Sequence, residues 1–347
     1  MSAAIKFFKY LVGLLLVAVL GAYFWFWATP VGINNYINKV SFQLAIDSPE
    51  LITALGIIDN TPLDFHSGKL ASYTLEAEEE SLARLRTARA GLDHYGPEGL
   101  EGQELLSWQI AAWFFEDLIR SAEHPYGGYM VNQISGPMVN LPQFLTDRHQ
   151  IINDKSLTRY ISRLEEFGRV IGEVKLRVMD ARDNGTVPPD FIIEKVLVGM
   201  RAFSEASGND NVLIANLPAK LEKLDNISPE RKLLLSEQAV DIVDNQIVPQ
   251  YLEMIALFET LLSETNHDAG IWRLPQGEAI YTQALKSNTT TDMSAEQIHQ
   301  LGLSEVARIE LEIAQILTEL GMTEGSIFER IQTLMELPEH NFPNTDE

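Results

Sequence analysis

From residue 30 onward, apolar residues recur at intervals of three and four, and helix-start and helix-stop signals separate the successive runs. This spacing places apolar side chains on one face of a helix. Patterns that alternate with a period of two, as strands require, are few. The sequence therefore predicts an all-α or nearly all-α fold, in which a multi-helix array is interrupted by two long irregular loops.

Proline marks several helix boundaries. Pro49 and Pro229 each follow a serine, the arrangement expected for an N-cap followed by the first helical residue. Pro249 instead lies deep inside the apolar run of residues 228–264. Because proline lacks a backbone N–H, we expect it to kink this run or to divide it into two helices.

Two stretches rich in Gly, Pro and polar residues interrupt the helical period, at 125–144 and 266–275. Structured loops of this length often carry function. The side chains that we expect as possible lining of a cleft for a peptide-like ligand are Asn132, Gln133, Trp272, Arg273 and Tyr281. A structural role is the alternative for both sets. The polar side chains of the first loop, with Ser135 and Asn140, would form hydrogen bonds with the backbone of that loop. The aromatic side chains of the second loop would pack against the start of the following helix.

The first thirty residues differ from the rest. Lys6 and Lys9 precede 19 uncharged residues, 10–28, which include Tyr23, Trp25 and Trp27. Such a run predicts an uncleaved transmembrane anchor with an aromatic belt at its far end. The lysines predict a single-pass protein of the bacterial inner membrane, with its N-terminus in the cytoplasm and its body in the periplasm. A cleaved signal peptide is the alternative, and without cysteine a lipoprotein is not expected.

Charge and composition exclude some classes of function. The formal net charge is −23, and the 347 residues include no cysteine. An acidic field of this size repels phosphate, so no nucleic acid partner is expected. Without cysteine there is no disulfide, thiolate metal site or cysteine nucleophile.

No complete catalytic motif is present. The sequence has no HExxH, Walker or GxSxG pattern, and its seven histidines are scattered. We therefore predict no catalytic residue, no metal ligand and no cofactor in this chain.

One predicted helix has clear N-terminal capping signals. Ser294 and Gln297 stand in the spacing of a capping box, and His299 follows them. The apolar residues after it predict a packed core helix that ends at Gly321; they are Val306, Ile309, Ile313, Ile316, Leu317 and Leu320. His299 would then hold a neighbouring loop in place or, alternatively, line a cleft.

Three segments together carry a family resemblance: "VNQISGPMVNLPQFL", "VPPDFIIEKVL" and "IWRLPQGEAIYTQALKSNTTTDMSAEQIHQLGLSEVARIE". They resemble the bacterial family called domain of unknown function 885 (DUF885). The resemblance covers residues 45–337, after an anchor at 1–30 and a linker at 31–44, and it leaves a tail at 338–347.

The resemblance implies a longer ancestor. Full-length members look like helical zinc-dependent peptidases, with the zinc motif C-terminal to the segments quoted above. We therefore expect a membrane-anchored N-terminal portion that lacks the zinc-binding half, is inactive alone and exposes apolar helix faces. The alternative is a genuine short, non-catalytic binding or scaffold domain on the outer face of the membrane. Whether the chain is an enzyme, and its oligomeric state, stay open.

Overall fold

The computed structural model describes residues 7–14, 16, 17, 21 and 28–341. Within these residues there are helices and no strands, so the all-α prediction is confirmed. Residues 28–280 belong to one compact unit and residues 281–341 to another.

The helices of the first unit are, in order, α1 (Ile33–Ile46), α2 (Pro49–Leu55), α3 (Leu75–Leu92), α4 (Gly102–Ser121), α5 (Pro137–Asp147), α6 (Asp154–Asp183), α7 (Asp190–Glu205), the short α8 (Val212–Ala215) and α9 (Leu217–Glu222), α10 (Pro229–Ile242) and α11 (Val248–Glu264). A π-helical segment, Val243–Ile247, joins α10 to α11. The next helix, α12 (Gly277–Thr289), crosses the boundary between the units. The second unit continues with α13 (Ala295–Glu319) and α14 (Ile327–Met335).

Helix α6 is the centre of the larger core. Its buried side chains recur at three- and four-residue steps, which keeps them on one face along thirty residues. This face includes Leu157, Leu164, Phe167, Ile171 and Val174, each at most 1% exposed. Helices α5, α7, α10 and α11 contribute to the same buried cluster.

A smaller core joins α1, α3 and α4. Ile33 and Leu92 are fully buried there, and the Tyr36 hydroxyl donates to the Ala88 carbonyl at 2.7 Å. The segment 31–44, which the sequence suggested as a linker, is therefore mostly a packed helix. The apolar face of α1 has a partner because α3 and α4 present their own apolar faces to it.

The run that contains Pro249 stays helical from Pro229 to Glu264, with helical dihedrals at Ile242, Val243, Ile247 and Val248, so the proline does not divide it. Pro249 lies in the first turn of α11, directly after the π-helical segment. Because the residues before Pro249 are helical, its missing N–H falls inside a continuous helix, at the point where the π-helical segment changes the hydrogen-bond pattern. The extra residue of the π turn lets the chain continue without a sharp break.

The first predicted loop is shorter than expected. Residues 137–147 form α5, with Pro137 in its first turn and Pro142 inside it. The Gly and Pro composition suggested mostly loop, but the buried side chains of Met138, Leu141 and Leu145 hold this segment helical against the core. The second predicted loop, 266–275, contains one 3-10 turn, Ile271–Arg273.

The membrane prediction needs correction. No helix among the described residues is long and apolar enough to cross a bilayer. Residues 7–14, 16, 17 and 21 are helical, but Tyr23, Trp25 and Trp27 lie outside the described residues. A crossing needs roughly 20 consecutive apolar helical residues. On this finding the prediction of a single-pass inner-membrane protein is wrong.

Candidate functional site

A cavity of about 300 Å³ lies between the loop before α5, helix α5 itself and helix α7. Its walls are formed by Val131, Asn132, Gln133, Met138, Val139, Pro142, Lys195, Val196, Gly199, Met200, Phe203 and Tyr251. Its volume is at the lower end of the range of small-molecule sites, and most of its wall is apolar. The arrangement therefore suits a small ligand that is largely apolar.

The loop wall is held rigidly by Asn132. Its side-chain oxygen accepts from the backbone N–H groups of Ile134 and Ser135, each at 2.9 Å. Its amide nitrogen donates to Ser135 Oγ at 2.8 Å. These bonds are those of an Asx turn. Asn132 therefore shapes the wall, and its polar atoms are used in hydrogen bonds within the loop.

Gly136 completes the turn into α5. Its φ is +108°, a conformation that side chains disfavour, and a Cβ there would lie 2.5 Å from the Met130 carbonyl oxygen. Only glycine fits this position without displacement of the backbone. The position of the loop wall therefore depends on this residue.

Tyr251 supports the cavity from the core side. Its ring stacks on Phe203 with centroids 4.0 Å apart, and its hydroxyl donates to the Met138 carbonyl at 3.0 Å. Burial raises the pKa of Tyr251 above its usual value of 10.0, so the hydroxyl remains a donor at physiological pH. Three wall elements, α5, α7 and α11, are thereby fixed to one another.

Two polar groups of the wall are not used by the fold. The side-chain oxygen of Gln133 is buried, and no described residue donates a hydrogen bond to it. Lys195 is exposed, and none of the described side chains forms an ion pair with it. An unpaired buried acceptor costs free energy, which a donor from a ligand would recover after the Gln133 side chain turns toward the cavity.

Glycine leaves room on the α7 side. A Cβ at Gly199 would meet nothing within 4 Å, so the space in front of this residue is open. Val198, its neighbour on the same helix, does not line the cavity and is 68% exposed. A side chain introduced at Gly199 would therefore enter the cavity, whereas one introduced at Val198 would not.

The other sequence-predicted cleft residues lie elsewhere. Trp272 is 79% exposed in the second loop, outside the wall of this cavity. Arg273 donates to the Asp268 carbonyl at 2.7 Å and to Thr265 Oγ1 at 2.9 Å, so it closes its own loop. Tyr281 and His299 belong to the second unit.

The structure forms both bonds of the capping box. Ser294 Oγ accepts from the Gln297 backbone N–H, and Gln297 Oε1 accepts from the Ser294 backbone N–H. His299, one turn later, is exposed, and its ring has no hydrogen-bond partner among the residues described.

Sequence reasoning missed a second cluster, which consists of Asp59, Asp64 and His66. One ligand atom from each lies within 4.8 Å of the others. His66 is 1% exposed, and its Nε2 lies 2.5 Å from Asp59 Oδ1. Its buried Nδ1 lies 3.3 Å from Asp64 Oδ1 but forms no hydrogen bond with any described residue. Burial lowers the pKa of His66, an effect that Asp59 opposes and Arg163 reinforces. The only sign of this cluster in the sequence was that Asp59, Asp64 and His66 lie within eight consecutive residues.

This cluster does not fit zinc. Zinc sites favour histidine and cysteine ligands, whereas two of these three groups are carboxylates. Oδ2 of Asp64 is already occupied, because it accepts from the backbone N–H of Asn60 at 2.8 Å, from Ser67 Oγ at 2.8 Å and from the guanidinium of Arg159. Oδ1 accepts from the backbone N–H of Ser67 at 3.2 Å. Arg159 therefore supplies the positive charge that a metal would supply, and the cluster joins the 59–67 turn to α6.

Comparison with known proteins places the chain among its relatives. The sequence profile of the family described as "Bacterial protein of unknown function (DUF885)" matches residues 49–347. The chain belongs to the DUF885 family. The resemblance inferred from the three quoted segments is thereby confirmed. No curated protein matches the sequence of this DUF885 chain.

A solved structure shares the fold of this DUF885 chain. It is described as "the putative lipoprotein from Colwellia psychrerythraea", is 23% identical and superposes with a TM-score of 0.69. The match covers 87% of this chain and 54% of the Colwellia chain. The DUF885 chain thus spans about half the length of this structural neighbour.

Proposed function

We propose that this DUF885 chain binds a short apolar peptide, or a peptide-like ligand, in the cavity between α5 and α7. The observation that carries the proposal is the pairing of an apolar cavity with one unsatisfied buried acceptor, Gln133 Oε1. Such a wall selects a ligand that brings apolar side chains together with an N–H or O–H donor.

A peptide meets these requirements in order. Its apolar side chains fill the space beside Met138, Met200 and Phe203. Its backbone N–H donates to Gln133 Oε1 once that side chain turns toward the cavity, and its terminal carboxylate pairs with Lys195. The first contact supplies most of the affinity through burial of apolar surface. The other two fix the direction of the ligand, because a single acceptor and a single cation are offered at different points of the wall.

We further propose that the chain is the non-catalytic portion of a protein derived from a zinc hydrolase. The zinc-hydrolase origin rests on the family resemblance alone. The proposal of a non-catalytic portion is supported by the length of the structural neighbour, about twice that of the match, and by the lack of an HExxH motif in this sequence. The alternative is a short binding domain that acts without a catalytic half. Both forms of the proposal assign ligand binding, and not bond cleavage, to the residues of this chain.

Isothermal titration calorimetry with the tripeptide Ala-Leu-Phe tests the binding. The free acid is expected to bind about two- to fivefold more tightly than the C-terminal amide, since an exposed ion pair contributes at most about 1 kcal/mol. Lys195→Met should remove this difference. Absence of binding by both peptides, or equal affinities in the unmodified chain, contradicts the proposed pose.

Gln133→Leu gives a sharper test because its two effects have opposite signs. Removal of the unsatisfied acceptor should raise the stability of the free chain, whereas loss of the ligand bond should weaken peptide binding by about fivefold. If both stability and affinity fall, Gln133 is only a structural residue of the loop.

The space itself is tested with a matched pair. Gly199→Phe fills the cavity from α7 and should abolish peptide binding, while the helix tolerates the change because a Cβ meets open space. Val198→Phe, on the outer side of the same helix, should bind the peptide as the unmodified chain does. Equal behaviour of the two variants would place the ligand elsewhere.

The hydrolase ancestry has its own measurements. Purified chain is expected to carry no stoichiometric zinc by mass spectrometry of metals and to cleave no peptide. Native protein heavier than 38.9 kDa in the source cell supports the longer protein. Native protein of that mass supports the short binding domain, and stoichiometric zinc with peptide cleavage overturns both forms.

A further inference from the structure

The second unit leaves its apolar residues largely uncovered. Among residues 281–341, Leu317 on α13 is the one buried side chain. Helix α14 buries none of its residues. The sequence predicted a packed core helix at α13; that prediction is wrong, because the structure places little against the apolar face.

Three exposed residues of α13 and its C-cap residue form a continuous face, which we call the α13 stripe: Val306, Ile309, Ile316 and Leu320. Their exposures are 56, 44, 55 and 57%. At 3.6 residues per turn they fall within an arc of about 80°, with half-buried Ile313 between them. Single exposed apolar residues are ordinary on a surface, but four along one face of a helix indicate an interaction site.

The margins of the α13 stripe are acidic. Glu310 borders one side, and Glu305 and Glu312 border the other. Helix α13 holds five glutamates and a single arginine, Arg308, a net charge of −4 with histidine neutral. Arg308 pairs with Glu305 and with Glu312, each at 2.7 Å, so this margin keeps one net negative charge.

We propose that the α13 stripe docks an amphipathic helix of a partner protein whose apolar face is bordered by lysine or arginine. Apolar contact along the stripe supplies the affinity, as in other helix-in-groove interfaces. Basic margins on the partner meet the acidic margins of α13 and fix the register. A second copy of this chain would instead bring two helices of net charge −4 side by side, which like-charge repulsion opposes.

Designed peptides provide the probe. Two labelled helices of about 20 residues are needed, with the same leucine face and with either lysine or glutamate at the margins. Fluorescence anisotropy with the whole chain is expected to show about tenfold tighter binding of the lysine form. This preference should shrink as salt is raised, because screening weakens charge pairs at a surface.

Variants locate the contact on α13. The double change Val306→Gln and Ile309→Gln should weaken binding of the lysine peptide by about tenfold or more, since two apolar side chains leave the interface. The matched control is Leu311→Gln, because Leu311 is 73% exposed on the opposite side of the same helix. It should leave the affinity unchanged. Glu310→Gln should reduce the preference for lysine margins alone.

Three outcomes would overturn the proposal. Equal affinity of the chain for the two peptides would show that the acidic margins do not select the partner. An equal loss of affinity in the Leu311→Gln control would show that binding does not depend on the α13 stripe. A dimer in analytical ultracentrifugation that the double change converts to monomer assigns the face to a second copy. None of these measurements involves the cavity between α5 and α7, so failure here leaves the peptide-binding proposal to its own tests.

Discussion

Arg163 donates to Nδ1 of His149 at 2.8 Å inside the larger core, and both side chains are buried, at 0 and 3% exposure. Since arginine can only donate, Nδ1 must be the acceptor, and the proton of the neutral ring sits on Nε2, which lies 3.0 Å from the Ser156 carbonyl oxygen. The same guanidinium donates to Thr53 Oγ1 at 2.7 Å and to the Lys69 carbonyl at 3.1 Å. One cation thereby joins α6 to α2 and to the segment before α3.

This contact predicts a loss of stability in acid. Burial, with the Arg163 charge in second place, lowers the pKa of His149 from its usual 6.5 to about 3. Below pH 6.5 the unfolded chain therefore binds a proton that the folded chain refuses, and the stability falls as the pH drops from 6.5 toward 3. Urea unfolding between pH 7 and 5.5 should show a loss of up to about 1.4 kcal/mol per pH unit from this group. His149→Gln should flatten the profile, and an unchanged slope would contradict the assignment.

Arg163→Met should strongly destabilise the fold. The change leaves His149 Nδ1, Thr53 Oγ1 and the Lys69 carbonyl without their donor, and such orphaned buried partners cost about 3–5 kcal/mol together. Chemical denaturation measures this loss. The control is Arg201→Met, because Arg201 pairs with Glu259 with both side chains about half exposed, and its loss should cost less than about 1 kcal/mol. Similar costs for the two variants would mean that the buried network contributes little.

Gly136→Ala should distort the loop wall of the cavity. The residue has a φ of +108°, and the added Cβ would lie 2.5 Å from the Met130 carbonyl oxygen. Thermal unfolding should reveal a cost of about 1–3 kcal/mol, the range of strain at such a backbone position. Gly128→Ala, in the same loop, meets no atom within 4 Å and has no positive φ. It should be close to neutral, and a large cost there would show that any change in this loop is disruptive.

The cluster around His66 gives a prediction about metals. Because Arg159 neutralises Asp64, the melting temperature should not change on treatment with EDTA. Arg159→Met should instead destabilise the chain by about 3 kcal/mol, since it leaves the buried Asp64 carboxylate without its cation. A melting temperature that falls with EDTA and recovers with a divalent cation would show that the cluster holds a metal.

Much of the helical architecture is predictable from the sequence because helices are specified by local chemistry. The capping residues Ser294 and Gln297 act within one turn, and the proline at 249 removes one backbone donor at a known position. Such effects reach at most four residues along the chain, so they can be inferred without the fold. Residues 137–147 were predicted as mostly loop but form a helix, because a contact distant in sequence decided their structure. Burial of Leu141 and Leu145 outweighed the local preference of Gly and Pro for loop.

The candidate sites depended on contacts that no local pattern contains. Asp64 meets Arg159 across 95 residues, and Arg163 meets Thr53 across 110. The sequence identified Asn132 and Gln133 as polar loop residues, but it could not separate their roles. In the structure Asn132 bonds its own turn, whereas Gln133 Oε1 is left without a donor beside an apolar space.

Helices α6 and α13 show what the sequence determines by itself and what depends on the tertiary structure. Both carry apolar residues at three- and four-residue steps, and the sequence alone determined that each forms an amphipathic helix. The tertiary structure decided that the face of α6 is buried and that Val306 and its neighbours on α13 are exposed. Periodicity reports the chemistry of a face, while its removal from water depends on which distant segments pack against it.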